Sequence, residues 1–257
     1  MSDSGMTEAQ GGIAARVIAE EEQRRAHLVV ALSGAHAYGF PSPDSDLDLK
    51  GIHIEPASRL LGLSPPRPSV DRMEIIEGVE IDYSSNELHG VLAGVLAGNG
   101  NYIERILGRL LLFTSPDHAT LRPLVQGALS RRLLHHYRGF ATSQLHALDK
   151  GGTAKRVLYV LRTALTGAHA LRAGEIIIDV TMLLDEYGFV GARELIEAKR
   201  AGEQVVLAPE RLSYWRAELA RAHTTLRSAA EGSCLPEEPP NAPDIEAWLL
   251  EVRRRHF

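Results

Sequence analysis

The spacing of apolar residues changes character near the middle of this chain. Before Pro116, short apolar runs and alternating stretches dominate; beyond it, apolar positions recur every three or four residues. Segment 13–27 sets Ile13, Val17 and Ile18 against a charged face and reads as a helix. Leu28, Val29, Val30, Ala31 and Leu32 form an unbroken run, the mark of a buried strand. A Gly-, Ser- and Pro-rich turn leads to a second strand over 46–54. Pro56, Pro65, Pro66 and Pro68 make 55–69 a surface excursion. Met73, Ile75, Val79 and Ile81 alternate with polar residues on either side of Glu77-Gly78, which predicts a hairpin. Helices are expected over 87–96 and from Tyr102, with a loop at 98–101 between them.

In the second half, 121–150, 153–173, 180–187, 192–201 and 209–230 have helical period, and Ile176-Ile177-Ile178 is a short strand candidate. A proline-rich linker over 233–244 precedes a last helix at 245–255. The expectation is an α+β protein: a disordered tail over 1–12, a domain with a mixed β-sheet and helices over 13–118, and an all-helical domain over 119–257.

Hydrophobic residues at 44% and charged residues at 24% suit a globular chain, and a net charge of −5 argues against a protein that coats nucleic acid non-specifically. The single cysteine, Cys234, excludes a disulfide framework within the chain and fits a reducing cytoplasm. No apolar run approaches the ~20 residues needed to span a bilayer, so no membrane partner is expected.

The chemistry is concentrated between the first two strands. The turn after Leu32, beginning Ser33-Gly34-Ala35, is of the kind whose backbone N–H groups can face a phosphate. Asp46 and Asp48 then sit two apart on a strand, so both carboxylates leave one face while Leu47 and Leu49 enter the core. In the later strand Val79 and Ile81 share one face, which leaves Glu80 and Asp82 on the other. If that strand pairs beside 46–54, Asp82 joins the first two acids. Three carboxylates so close need a cation among them, and magnesium prefers oxygen ligands. Two such ions can hold an attacking hydroxyl and a leaving pyrophosphate; Asp82, nearest the hydroxyl, can help remove its proton.

The run Gly34-x-x-Ala37-Tyr38-Gly39-x-x-x-Pro43-x-Ser45-Asp46-x-Asp48-x-x-Gly51 resembles the nucleotidyltransferase pattern of the DNA polymerase β superfamily. Within it, the chain is similar to nucleotidyltransferases of the RlaP type, which are linked to RNA repair operons; the resemblance spans about 25–175. It implies a polymerase-β-type catalytic domain, two magnesium ions (or manganese) at Asp46, Asp48 and Asp82, and an NTP as donor. A nucleoside monophosphate would pass to a hydroxyl acceptor, an RNA end first among candidates, with pyrophosphate released. The pattern usually reads Gly-Ser where this chain has Gly34-Ala35. Either Ser33 or backbone amides then serve the phosphate, the lost hydrogen bond being worth ~0.5–1.5 kcal/mol.

Further nucleotide contacts are expected from Tyr38 and Ser45 in the turn, and from Lys155 and Arg162, seven apart and so on one helix face. Asn99 and Asn101 suit a helix start better than a substrate contact, and Trp215 and Trp248 lie on helical patterns as core or interface residues. Two other functions compete: transfer to a partner protein, as in antitoxin-type enzymes, and a non-catalytic nucleotide- or RNA-binding module, which Ala35 motivates.

Overall fold

In the computed structural model, which describes residues 5–148, 151–201 and 205–257, the first helix begins earlier than its apolar pattern. Helix α1, Glu8–Glu22, is started by a capping box: the Thr7 side chain accepts from Gln10 N–H, and the Gln10 side chain accepts from Thr7 N–H. The expected tail over 1–12 is therefore corrected from Thr7 onward, and residues 1–4 lie outside the described part. The turn after α1 admits strand β1, Ala26–Leu32, two residues earlier than the apolar run suggests. Next come a short helix α2, Gly34–Tyr38, strand β2, Leu47–Ile54, and a four-residue helix α3, Ala57–Leu60, inside the exposed excursion.

Strands β3, Ser69–Ile76, and β4, Val79–Glu87, form the expected hairpin. Its turn takes Glu77 and Gly78 to positive φ, 53° and 83°. A four-residue strand β5, Leu111–Thr114, completes a mixed sheet of order β3-β4-β2-β1-β5 among the described residues. Only β2 and β4 run parallel; β1 is antiparallel to β2 and to β5, and β3 to β4. One face, with Val30, Leu32, Leu47, Leu49, Ile81 and Tyr83, is covered by Ile13, Ala14, Val17 and Ile18 of α1. Helices α4, Leu88–Leu96, and α5, Gly100–Leu107, also pack on the sheet. The Asn99 side chain caps α5 through Asn101 N–H at 3.0 Å.

Two compact units divide the chain differently from the expected 118/119 boundary, which falls inside helix α6, Pro116–Gly127. Pro116 opens that helix behind the Ser115 cap; it does not separate domains. The first unit runs through Gly34, resumes over Asp46–Ala128 and ends with Pro239–Phe257. Its last helix, α11 (Ala242–Arg255), is tied in by Trp248 Nε1 donating to Thr120 at 2.9 Å and by Arg253 paired with Glu87 and bonded to the Glu55 carbonyl. The second unit comprises Ala35–Ser45 and Leu129–Glu238. There α8, Ala154–Ala173, is buried along most of its length and contacted by α7 (Leu133–Leu148), α9 (Ala192–Ala201) and α10 (Pro209–Glu231). Gly167 makes the α7–α8 approach possible, since a Cβ there would lie 2.5 Å from Tyr137. Trp215 of α10 is buried, as its helical position suggests. Segment 180–187 holds only a 3-10 turn, Val180–Met182. Ile176-Ile177-Ile178 is not a strand: Thr166 of α8 donates to the Ile177 carbonyl at 2.8 Å, so that backbone is satisfied by a side chain.

Two histidines lie buried in the sheet of the first unit. His27 Nε2 is 2.7 Å from the Tyr83 hydroxyl, and His53 Nδ1 is 2.8 Å from Ser85 Oγ. Burial, with Arg25's charge adding to it, pushes both down from 6.5 to about 4. Between those values the unfolded chain binds protons that the folded chain refuses, so stability falls as pH drops through the window. At ~1.36 kcal/mol per unit, each histidine costs ~2 kcal/mol by pH 5. Urea midpoints should fall steeply between pH 7 and pH 5, with a shallower fall in His53→Gln; an unchanged slope in that variant would assign the acid sensitivity elsewhere.

Candidate active site

The parallel pairing of β2 with β4 sets Leu47 against Ile81, Asp48 against Asp82 and Leu49 against Tyr83. Leu47, Leu49, Ile81 and Tyr83 are fully buried, so alternation sends Asp48 and Asp82 together off the opposite face. Lys50, next on that face of β2, lies between them: its Nζ is 2.8 Å from Asp82 Oδ2 and 3.7 Å from Asp48 Oδ1. It also donates to the Asp82 backbone carbonyl at 3.2 Å.

Gly34 closes the site from the β1 side. Ser33 N–H donates to the Asp48 carbonyl at 2.8 Å, and Gly34 then turns at φ +60°. A Cβ on Gly34 would lie 1.8 Å from Asp48 Oδ2, so the carboxylate occupies the space a side chain would need. The glycine of the motif is thus required by the acid fourteen residues later.

Asp46 precedes the first residue of β2 and is half-buried. Strand alternation fixes Asp48 but no longer fixes a residue outside the ladder. Among the described residues, no three His, Cys, Asp or Glu side chains stand together as a metal-holding group. What the strand ladder itself assembles is a pair of carboxylates with a lysine, and Asp46 lies one residue outside it. Carboxylate oxygens on one face are the donor type that a hard divalent cation takes, so the donor set fits magnesium in kind.

The other expected nucleotide contacts, Ala35, Tyr38, Ser45, Lys155 and Arg162, belong to the second unit. Ala35 is buried, and its carbonyl accepts from Phe40 N–H at 3.1 Å. Tyr38 is buried too, edge-on to Tyr159 at 5.6 Å between centroids. The Arg162 guanidinium lies 3.8 Å above the Tyr38 ring. Arg162 is 2% exposed, because α8 is packed on by α7, α9 and α10 of its unit. Lys155, near the start of α8, is half-buried.

Ser45 Oγ accepts from Ser42 N–H at 2.9 Å and from Lys199 Nζ at 2.9 Å, so its hydroxyl serves the turn. Lys199 also reaches Ser42 Oγ and is fully buried. The hydrogen bond from Ser42, with lesser help from the charges of Lys199 and Lys155, holds the Asp44 carboxyl below its usual range. Gly39, at φ +87°, lies where a Cβ would come within 2.0 Å of Asp179 Oδ1, the acid that caps the 3-10 turn.

Lys50, Lys199 and Asp179 were not among the residues that motif reasoning selects. Two of them left a signal. Lys50 has the strand parity of Asp48, and Lys199 shares the helical stripe of Ala192, Leu195 and Ile196, where a lysine is out of place.

The first unit thus carries paired acids on one face of a mixed sheet, beside a glycine turn. A family model described as the RNA repair pathway DNA polymerase beta family (RlaP) matches residues 13–251, and the chain belongs to that family. An uncharacterized protein of Methanocaldococcus jannaschii, MJ0002, is 31% identical over 152 residues, which cover 58% of this chain and 61% of that protein. The match therefore spans less than two thirds of that relative's length. A nucleotidyltransferase-like protein from Exiguobacterium sibiricum 255-15, known from its crystal structure, is 11% identical with a TM-score of 0.36, over 95% of this chain and 80% of that one. Among the described residues no helix is long and apolar enough to cross a membrane.

Proposed function

We propose that this protein transfers a nucleoside monophosphate from an NTP to a hydroxyl of an RNA end and releases pyrophosphate. The observation that carries the reading is the register of Asp48 with Asp82, on one sheet face, with Gly34 pressed against Asp48. Asp46, Asp48 and Asp82 are the residues that would hold magnesium, two ions in the full scheme, with manganese as a substitute. When bound, that ion supplies charge neutralisation for the triphosphate and lowers the pKa of the acceptor hydroxyl. The chain's own contribution is arrangement. Strand pairing fixes two carboxylates before any ligand arrives, which removes their ordering cost from the reaction. Asp82, with 39% of its side chain exposed against 25% for Asp48, is the better placed to accept the proton leaving the acceptor hydroxyl.

Ser33, through its hydroxyl, and Gly34, through its backbone N–H, are assigned to the triphosphate within the first unit. Tyr38, Ser45 and Arg162 support the turn from within the second unit, a role their burial favours. Ala35 is a core residue here, which weakens its use as an argument for a non-catalytic module.

The test is incubation with each α-labelled NTP, magnesium and RNAs bearing defined ends. Label in RNA with equimolar pyrophosphate is the expected result. Label in a co-purified protein would replace the RNA acceptor by a protein, and no product from any pairing would remove the transferase reading.

A further inference from the structure

We propose that Lys50 is the resident counter-ion of the Asp48–Asp82 pair and that it sets how tightly the pair takes up a divalent cation; this rests on the magnesium-dependent reading above. Like charges directly opposite in adjacent strands destabilise a sheet. The β2–β4 register imposes that juxtaposition, so the protein needs a cation there whether or not a metal is present. Lys50 supplies it with one oxygen from each acid, Asp82 Oδ2 and Asp48 Oδ1, and anchors itself on the Asp82 carbonyl. Its side chain is 16% exposed, so its charge is screened less than that of a surface lysine.

The position leaves little freedom. Two residues from Asp48 on the same strand, Lys50 shares its face by pleat alone. Asp48 Oδ2 is already set against Gly34, which leaves Oδ1 as the oxygen facing the ammonium. An ammonium and a divalent ion bridging these carboxylates claim the same oxygens and repel each other. Uptake of the ion must therefore displace Lys50, and the freed ammonium becomes a positive group beside the incoming triphosphate.

Calorimetric titration of the full-length protein with Mg²⁺ and with Mn²⁺ tests this, alongside melting curves with and without the ion. In Lys50→Met the cation should bind roughly tenfold tighter or more, because the competing charge is gone. The metal-free variant should melt lower than the native protein and gain more on adding Mg²⁺. Lys50→Arg, which keeps the charge, should bind the ion close to the native level. If Lys50→Met fails to fold, Lys50→Gln gives the same comparison while retaining a donor for the Asp82 carbonyl. Unchanged or weaker ion binding in the neutral variants would overturn this role and leave the metal-dependent reading standing. No ion binding by the native protein or any variant would overturn both.

Discussion

Asp48→Asn should lower NTP-dependent product formation by roughly a thousandfold, about 4 kcal/mol of transition-state stabilisation, while the melting temperature stays within a few degrees of native. Asparagine keeps the size and strand position of the side chain, so the β2–β4 register survives. It loses the charge on which the proposed hold on a divalent ion depends. The substitution also relieves the like-charge contact with Asp82, and Lys50 can satisfy the remaining acid alone. Stability therefore has reason to hold while activity collapses. Single-turnover transfer and circular dichroism on the same preparations check both halves. A variant retaining a tenth of native activity would show that Asp48 does not act on the reacting groups.

Gly34→Ala should damage activity and stability together. The residue sits at φ +60°, which costs an L side chain about 1–2 kcal/mol. In addition its Cβ would fall 1.8 Å from Asp48 Oδ2, so either the turn or the carboxylate must move. An activity loss of about a hundredfold or more is expected, on the scale at which small misplacements of reacting groups are felt. Gly78→Ala is the control, because Gly78 has φ +83° at the hairpin turn and a Cβ there meets nothing within 4 Å. It should carry a similar backbone penalty with activity unchanged. If both glycine variants lose stability equally and neither loses activity, the contact between Gly34 and Asp48 has no functional weight.

The sheet was largely legible because local signals and tertiary needs agree in it. The continuous run at 28–32, the alternation at 79–82 and the Glu77-Gly78 turn each reappear as structure, and parity alone identified the acid face. Strand β5 was missed: four residues, only partly buried, become a strand because β1 offers an edge. The start of β1 was misplaced because Ala26 and His27 look like the end of a charged helix; it is Tyr83, far along the chain, that gives His27 a partner.

The division into units was not legible from composition. The 35–45 segment belongs with the helices through Tyr38 against Tyr159 and Arg162, and through Lys199 reaching Ser42 and Ser45 across more than 150 residues of sequence. No local pattern encodes such contacts. The same limit explains the candidate site. Asp48 and Asp82 follow from strand parity, whereas Asp46 lies outside the ladder, and Arg162 is buried by helices that the spacing of Lys155 and Arg162 does not reveal. Ser45 is expected to contact nucleotide, and the lysine that bonds its hydroxyl is on another element.

The central claim is that Asp48 and Asp82 form one cation-holding centre for a nucleoside triphosphate. Anomalous diffraction from crystals grown with Mn²⁺ and a non-hydrolysable NTP tests it most directly. The account predicts a manganese peak between those two carboxylates, with Lys50 moved off them and triphosphate oxygens completing the shell. A nucleotide seated elsewhere, with Lys50 still bridging an ion-free pair, would contradict it.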